Sequence, residues 1–162
     1  MTTNEKKIHQ FYSAFSENDL DTMSKLYSPN VKFRDPIFGL LINNDVMSMW
    51  SMLIEKSKGN IQINLSDVKA DDFLGSLQWT ATYLYSATNK KVVNHIYTHF
   101  HFKDGLIINH TDEFDIWKWS RQALGLKGVL LGWTGYMHKK IQDKTLLSLK
   151  KYKEKHNVNI SN

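Results

Sequence analysis

Cysteine is absent from the 162 residues, which removes disulfides, thiolate metal ligands and a thiol nucleophile from consideration. Proline occurs only twice, as Pro29 and Pro36, so no proline-rich linker divides the chain. Arginine is as scarce, with Arg34 and Arg121 alone. Because arginine is the usual bidentate reader of guanine, a net charge of +5 does not argue for a base-reading protein. The excess charge sits instead on Lys139, Lys140, Lys144, Lys150, Lys151, Lys153 and Lys155, against only Asp143 and Glu154. A solvated helix face is the expected use, and no nucleic-acid partner is expected. No apolar run approaches the roughly 20 residues that span a bilayer. The stretch from Met1 to Lys7 leads into an amphipathic segment without an apolar signal core. A soluble, cytoplasmic protein with no membrane partner is expected.

With 41% apolar and 12% aromatic residues, the chain suits one domain over 1–162 with a substantial core. Ile8, Phe11, Tyr12 and Phe15 recur at helical spacing and predict an amphipathic helix. Asn18 and Asp19 break it, and a second helix is predicted from Leu20 to Tyr27, stopped by Ser28-Pro29. A short strand, Val31 to Asp35, ends at Pro36. Asn43, Asn44 and Asp45 offer caps for a third helix with Val46, Met49, Trp50 and Leu53 inward. Lys58-Gly59-Asn60 closes that helix.

Beyond it the period drops to two. Ile61, Ile63 and Leu65 open one strand, and Leu77, Trp79, Ala81, Tyr83 and Tyr85 form the apolar face of the next. After a turn at Thr88 to Lys91, the even positions from Val92 to Phe102 point inward. Asp104-Gly105 is a strong hairpin signal. A last strand, Leu106 to Ile116, precedes a short helical segment (Ser120 to Leu124), a glycine-rich passage (Gly125 to Gly135) and a lysine-rich helix. Helices first and an antiparallel meander afterwards predict an α+β fold, with a curved sheet wrapped around helices.

The last strand carries the chemistry. Its even positions, Leu106, Ile108, His110, Asp112, Phe114 and Ile116, are mostly apolar and should face the core. A buried histidine and aspartate need partners or a wet cavity, so a ligand pocket is expected there. Asp112 and Asp35 are the candidate general acid and base, because a carboxyl beside aromatic walls titrates nearer neutrality. His110 is a candidate second proton carrier. Same-face neighbours two residues apart lie about 7 Å from each other, which favours a shared ligand or bridging water over a direct pair. The plainer readings are a structural histidine–carboxylate pair and an Asp-Pro turn with a side-chain cap. Phe11, Trp50, Trp79, Tyr83 and Phe100 are core aromatics first and pocket walls second. His95, His99 and His101 share the opposite face with Tyr97, which suits a dimer interface or solvent and argues against metal. No phosphate loop, dinucleotide fingerprint or nucleophile elbow occurs, and no cofactor is expected.

Four segments together carry a family resemblance over about residues 5–125. They are Phe15 to Asp21, Phe33 to Gly39, Phe102 to Ile107 and His110 to Asp115. In order and spacing the chain resembles the NTF2-like superfamily, and its SnoaL-like members (polyketide cyclase and ketosteroid isomerase-like proteins) most of all. The resemblance implies a cone of three N-terminal helices packed on a strongly curved, mostly antiparallel sheet, here with a C-terminal extension over 126–162 that carries an extra helix. It also implies an apolar pocket, with Phe38 and Thr98 joining the aromatics above, and a homodimer through the outer sheet face. Asp35 falls at the position of the ketosteroid isomerase base, and Asp112 at that of the acid/base aspartate of cyclases and of limonene epoxide hydrolase. Phe11 and Thr98 stand where the isomerase has its two oxyanion donors, and the hydrolase's strand arginine is missing between Ser76 and Tyr85. The function implied is cofactor-free acid/base catalysis of isomerase, cyclase or hydrolase type on a small hydrophobic carbonyl or polyketide-like substrate. A non-catalytic small-molecule binding or protein-interaction module is the alternative.

Overall fold

The computed structural model describes residues 1–156. The first helix, α1 (Thr3–Ser16), starts at a capping box in which Thr2 and Glu5 satisfy each other's backbone N–H. All four stripe residues, Ile8, Phe11, Tyr12 and Phe15, are buried as the periodicity predicts. Burial of each such side chain stabilises the fold by about 1.5–3 kcal/mol. Helix α2 (Leu20–Leu26) is capped by the Asp19 side chain, which accepts from Thr22 N–H at 3.0 Å. It stops one residue earlier than expected, because Tyr27 already begins strand β1 (Tyr27–Asp35). Pro29 is tolerated within β1 because the register shifts between Tyr27 and Lys32, so its missing N–H breaks no ladder bond.

A short hairpin partner, β2 (Gly39–Ile42), follows the Pro36 turn and had no counterpart in the sequence reading. Helix α3 (Asn44–Ser57) lacks the expected side-chain cap: Asn43 has φ +53° and makes no capping hydrogen bond. Strands β3 (Gln62–Ala70), β4 (Leu74–Tyr85), β5 (Lys90–Lys103) and β6 (Leu106–Glu113) complete a six-stranded sheet. Its order is β2-β1-β6-β5-β4-β3, antiparallel throughout except between β1 and β6. The main core lies between the concave sheet face and α1, α2 and α3.

Strand β6 corrects the simple alternation. A bulge opposite His101 and Phe102 shifts the register, so Ile107 rather than Ile108 is fully buried, while His110 and Asp112 still face inward. The strand also ends at Glu113. Asp115 caps the next helix, α4 (Ile116–Leu124), by accepting from Lys118 N–H at 3.0 Å, so Ile116 is helical rather than extended.

Two more helices follow where one was expected: α5 (Leu126–Leu131) and α6 (Gly135–Lys155). Helix α6 docks along α3. Lys153 is buried and paired with Asp45, Tyr152 and Ser51 hydroxyls meet at 2.6 Å, and Lys56 Nζ donates to Ser148 Oγ at 2.7 Å. The lysine-rich helix is therefore only partly a solvated face. Among the described residues no helix is long and apolar enough to cross a membrane.

Helix α5 lies on α4 through glycine. A Cβ on Gly128 would stand 1.9 Å from the Ser120 carbonyl oxygen, whereas a Cβ on Gly135 would meet nothing within 4 Å. Gly128→Ala should therefore destabilise the protein by about 1–3 kcal/mol, because backbone must move to admit the methyl. Gly135→Ala, at the open start of α6, should leave stability unchanged or raise it slightly. Thermal melts of the two variants check the contrast.

Candidate functional site

Parallel pairing of β1 with β6 sets Phe33 beside His110 and Arg34 beside Thr111. One step onward, Asp35 and Asp112 fall on the inner side of adjacent strands. Both line one cavity of about 220 Å³, with Phe38, Trp50, Trp79 and Tyr83 among its walls. The two candidate carboxyls thus converge on a single space.

Each carboxyl is held by one oxygen. Asp35 Oδ1 accepts from the N–H groups of Ile37 and Phe38, at 2.9 and 2.5 Å, which is the side-chain cap of the Asp-Pro turn. Burial raises the Asp35 pKa to about 7, with the Asp112 charge adding to the rise and the two N–H donors opposing it. Asp112 Oδ1 accepts from Thr98 Oγ1 at 2.5 Å and meets His110 Nε2 at 3.0 Å. Neither Oδ2 has a hydrogen-bond partner among the described residues, and no buried side-chain polar atom there is without one. The second oxygen of each carboxyl is therefore open to the cavity.

Behind Asp112 runs a continuous chain of donors. Trp50 Nε1–H donates to the Tyr27 hydroxyl at 3.1 Å, and Tyr27 meets His110 Nδ1 at 2.6 Å. Burial lifts the Tyr27 phenol well above its ordinary pKa, so it keeps its proton. With the indole donating to its oxygen, Tyr27 sends its O–H to Nδ1, which leaves Nε2–H to donate to Asp112. On the other side, Trp79 Nε1–H donates to Thr98 Oγ1 at 2.9 Å, and the Tyr12 hydroxyl lies 3.3 Å from the same oxygen. The single Thr98 proton goes to Asp112, so Tyr12 is the donor to Thr98.

Several sequence expectations change here. His110 and Asp112 are in direct contact, not bridged, because the two side chains lean toward each other along the strand. His110 is fully buried, ringed by Phe11, Phe33, Trp50 and Phe100 at centroid distances of 4.5–5.7 Å, and does not reach the cavity. With both ring nitrogens engaged, it orients Asp112 and cannot itself touch a ligand. Phe11, Thr98 and Phe100 likewise stand behind the cavity wall, filling the core. Trp50, Trp79, Tyr83 and Phe38 do line it.

Two hydroxyls escaped the sequence reading. Tyr12 counted only as a helix-stripe residue and Tyr27 only as the end of a helix, yet both serve the network. Tyr27 shares the inward parity of Val31 and Phe33, but the Ser28-Pro29 stop signal assigns it to the end of the preceding helix when only the sequence is read. A third tyrosine is better placed than its reading as a wall: Trp119 Nε1–H donates to Tyr83 at 2.9 Å, and burial pushes that phenol up to about 12. Its own O–H has no acceptor among the described residues. The outer-face histidines stand apart from all this, with His95 bonded to Thr80 and His99 packed on Tyr97. Among the described residues, no cluster suited to a metal ion occurs.

Six-stranded sheet, helical lid and inward carboxyls define an NTF2-like cone. The SnoaL-like domain family model matches residues 8–110, and the chain belongs to that family. The match takes in Asp35 and stops two residues short of Asp112. Solved structures share the fold at low identity. An NTF2-like protein of unknown function from Burkholderia pseudomallei is 15% identical, with 76% of this chain and 98% of that one aligned at a TM-score of 0.66. TerC, crystallised with polyporic acid, is 12% identical over 76% of this chain and 100% of its own, at 0.66. IdmH of Streptomyces antibioticus, a candidate polyketide cyclase, is 18% identical over 75% and 97%, at 0.63. No curated protein matches the chain.

Two stability experiments probe the site. His110→Ala strands the Tyr27 and Asp112 groups in the interior and should cost about 3 kcal/mol in denaturant unfolding. For Asp35, the folded state holds a proton that the unfolded chain releases near pH 4, so its contribution to stability declines from about pH 4 to 7. Asp35→Asn keeps the turn acceptor and removes that cost. The variant should melt higher than the parent at pH 8, by an amount equivalent to at least about 1 kcal/mol, with the gain shrinking at pH 5.

Proposed function

We propose that this SnoaL-like protein is a cofactor-free acid/base catalyst acting on a small hydrophobic carbonyl compound, of polyketide-like character. The observation that carries the reading is the pair of carboxyls on one cavity, each pinned by one oxygen and open at the other. Asp112, steadied by His110 and Thr98, takes a proton from the carbon next to the carbonyl. Tyr83 O–H donates to the carbonyl oxygen as negative charge develops there, the role for which Phe11 and Thr98 are unsuited. Asp35, titrating near pH 7, returns a proton to the enolate at a second position or to its oxygen. The substrate loses one proton and gains another, and proton exchange through solvent returns Asp112 to its charged form and Asp35 to its protonated form, with no oxidant or second reactant. Aromatic walls at Trp50, Trp79 and Phe38 suit a flat apolar ligand. That TerC, a structure of the same fold, was co-crystallised with an organic acid, polyporic acid, supports a small-molecule ligand rather than a particular substrate.

The test is deuterium exchange into the position next to the carbonyl of a panel of hydrophobic cyclic ketones, followed by NMR. The protein should accelerate exchange for at least one member, with a rate limb near pH 7. Asp112→Asn and Asp35→Asn should each lower that rate by about 10²–10⁴-fold, and Tyr83→Phe by about 10²-fold. Ketones that bind the cavity without exchange would replace catalysis with the binding-module reading.

A further inference from the structure

Helix α5 reverses the usual amphipathic arrangement. A surface helix ordinarily turns its large apolar side chains to the core and its polar ones to water. Here Gly128 and Gly132 face α4, while Leu126, Leu130 and Leu131 are 73, 61 and 44% exposed. The aromatics that follow stand out as far, with Trp133 at 66% and Tyr136 at 70%. None of these side chains lines the internal cavity. They protrude, which suits a yielding surface better than a rigid groove.

The charge around them is mainly positive. From Ile116 to Gln142 there is no aspartate or glutamate, while Lys118, Arg121, Lys127, Lys139 and Lys140 all fall within it; of these Lys139 is paired with Asp143 just beyond. Arg121 lies 4.4 Å over the Trp117 ring and Lys140 6.0 Å over Tyr136, so cations and exposed aromatics share the same patch. A second copy of this chain would bring two net-basic faces together, which repels. An anionic lipid surface offers what the patch lacks. Its acyl boundary accepts leucines, its interface accepts tryptophan and tyrosine, and its headgroups neutralise lysine and arginine.

We propose that α5 and the turn into α6 form a peripheral contact for anionic membrane surfaces, seated at Leu126, Leu130, Trp133 and Tyr136. This is contact with one leaflet's face, not insertion across it, and it departs from the expectation of no membrane partner. It stands independently of the catalytic reading.

Flotation of the full chain with phosphatidylcholine vesicles, with and without about 30% phosphatidylglycerol, tests it. The protein should float with the anionic vesicles, remain below with the neutral ones, and be released by about 0.5 M salt. Leu130→Glu combined with Trp133→Glu should weaken the partitioning at least about tenfold. Both positions are well exposed, and an unchanged melting temperature will show that the variant is folded. Lys127→Gln with Lys140→Gln, which leaves every apolar contact, should weaken it less and flatten the salt dependence. No flotation, equal flotation with neutral vesicles, or a dimer in light scattering that the Leu130/Trp133 variant dissolves would overturn the proposal.

Discussion

Placing His110 and Asp112 side by side in an aromatic interior obliges the rest of the molecule to supply hydrogen bonds to them. An unpaired carboxyl or imidazole there would cost several kcal/mol, a large share of a small domain's stability. The donors arrive from five different elements: Tyr12 on α1, Tyr27 on β1, Trp50 on α3, Trp79 on β4 and Thr98 on β5. Each is itself bonded to the next, so the network ties three sides of the cone together. Removing Tyr27, Thr98 or His110 takes hydrogen bonds from two or more neighbours at once, which makes this set structural before it is anything else. Its functional consequence is a single one: Asp112 presents one oxygen outward in a fixed attitude.

Asp35 is held on a different principle. Its neighbours are backbone N–H groups of a tight turn, and they do not fully offset its burial or the nearby Asp112. The carboxyl is therefore kept at a cost in stability above neutral pH. Local rules are most often broken where a protein works, and the proposed site rests on such a departure, a carboxyl raised to about pH 7 that faces a second carboxyl. Helix α5 is another departure of the same kind, with glycine inward and leucine outward. Helix α6 links the two regions: it starts beside the exposed aromatics, docks on α3 through Lys153, and lends Lys144, Thr145 and Ser148 to the cavity.

The resemblance to known cones would suggest a ready-made mechanism, yet the hydroxyl groups here are differently distributed. Positions that elsewhere hold oxyanion donors are occupied by Phe11 and Thr98, and both stand behind the wall. Tyr83, reaching the cavity from the opposite strand with its proton uncommitted, is the donor that this arrangement leaves available. Fold and site are thus separable: the architecture brings Asp35 and Asp112 to one cavity, and the particular side chains around them set which groups each carboxyl meets.

By itself the sequence determined the order of helices and strands, the inward faces of β4 and β5, the hairpin at Asp104-Gly105 and the presence of buried polar groups on β6. Those features depend on local periodicity, capping and turn chemistry, which operate over a few residues. The bulge that buries Ile107, the short β2, and the roles of Tyr12 and Tyr27 were decided only by tertiary structure. Each depends on pairing between segments dozens of residues apart, for which no local pattern exists. The same holds for the direct His110–Asp112 contact, because side-chain lean is set by surrounding packing rather than by strand spacing. Most of all, the meeting of Asp35 with Asp112 required the parallel pairing of β1 and β6, strands separated by almost the whole of the sheet's sequence. Local chemistry marked each carboxyl, and only the closed sheet made them a pair.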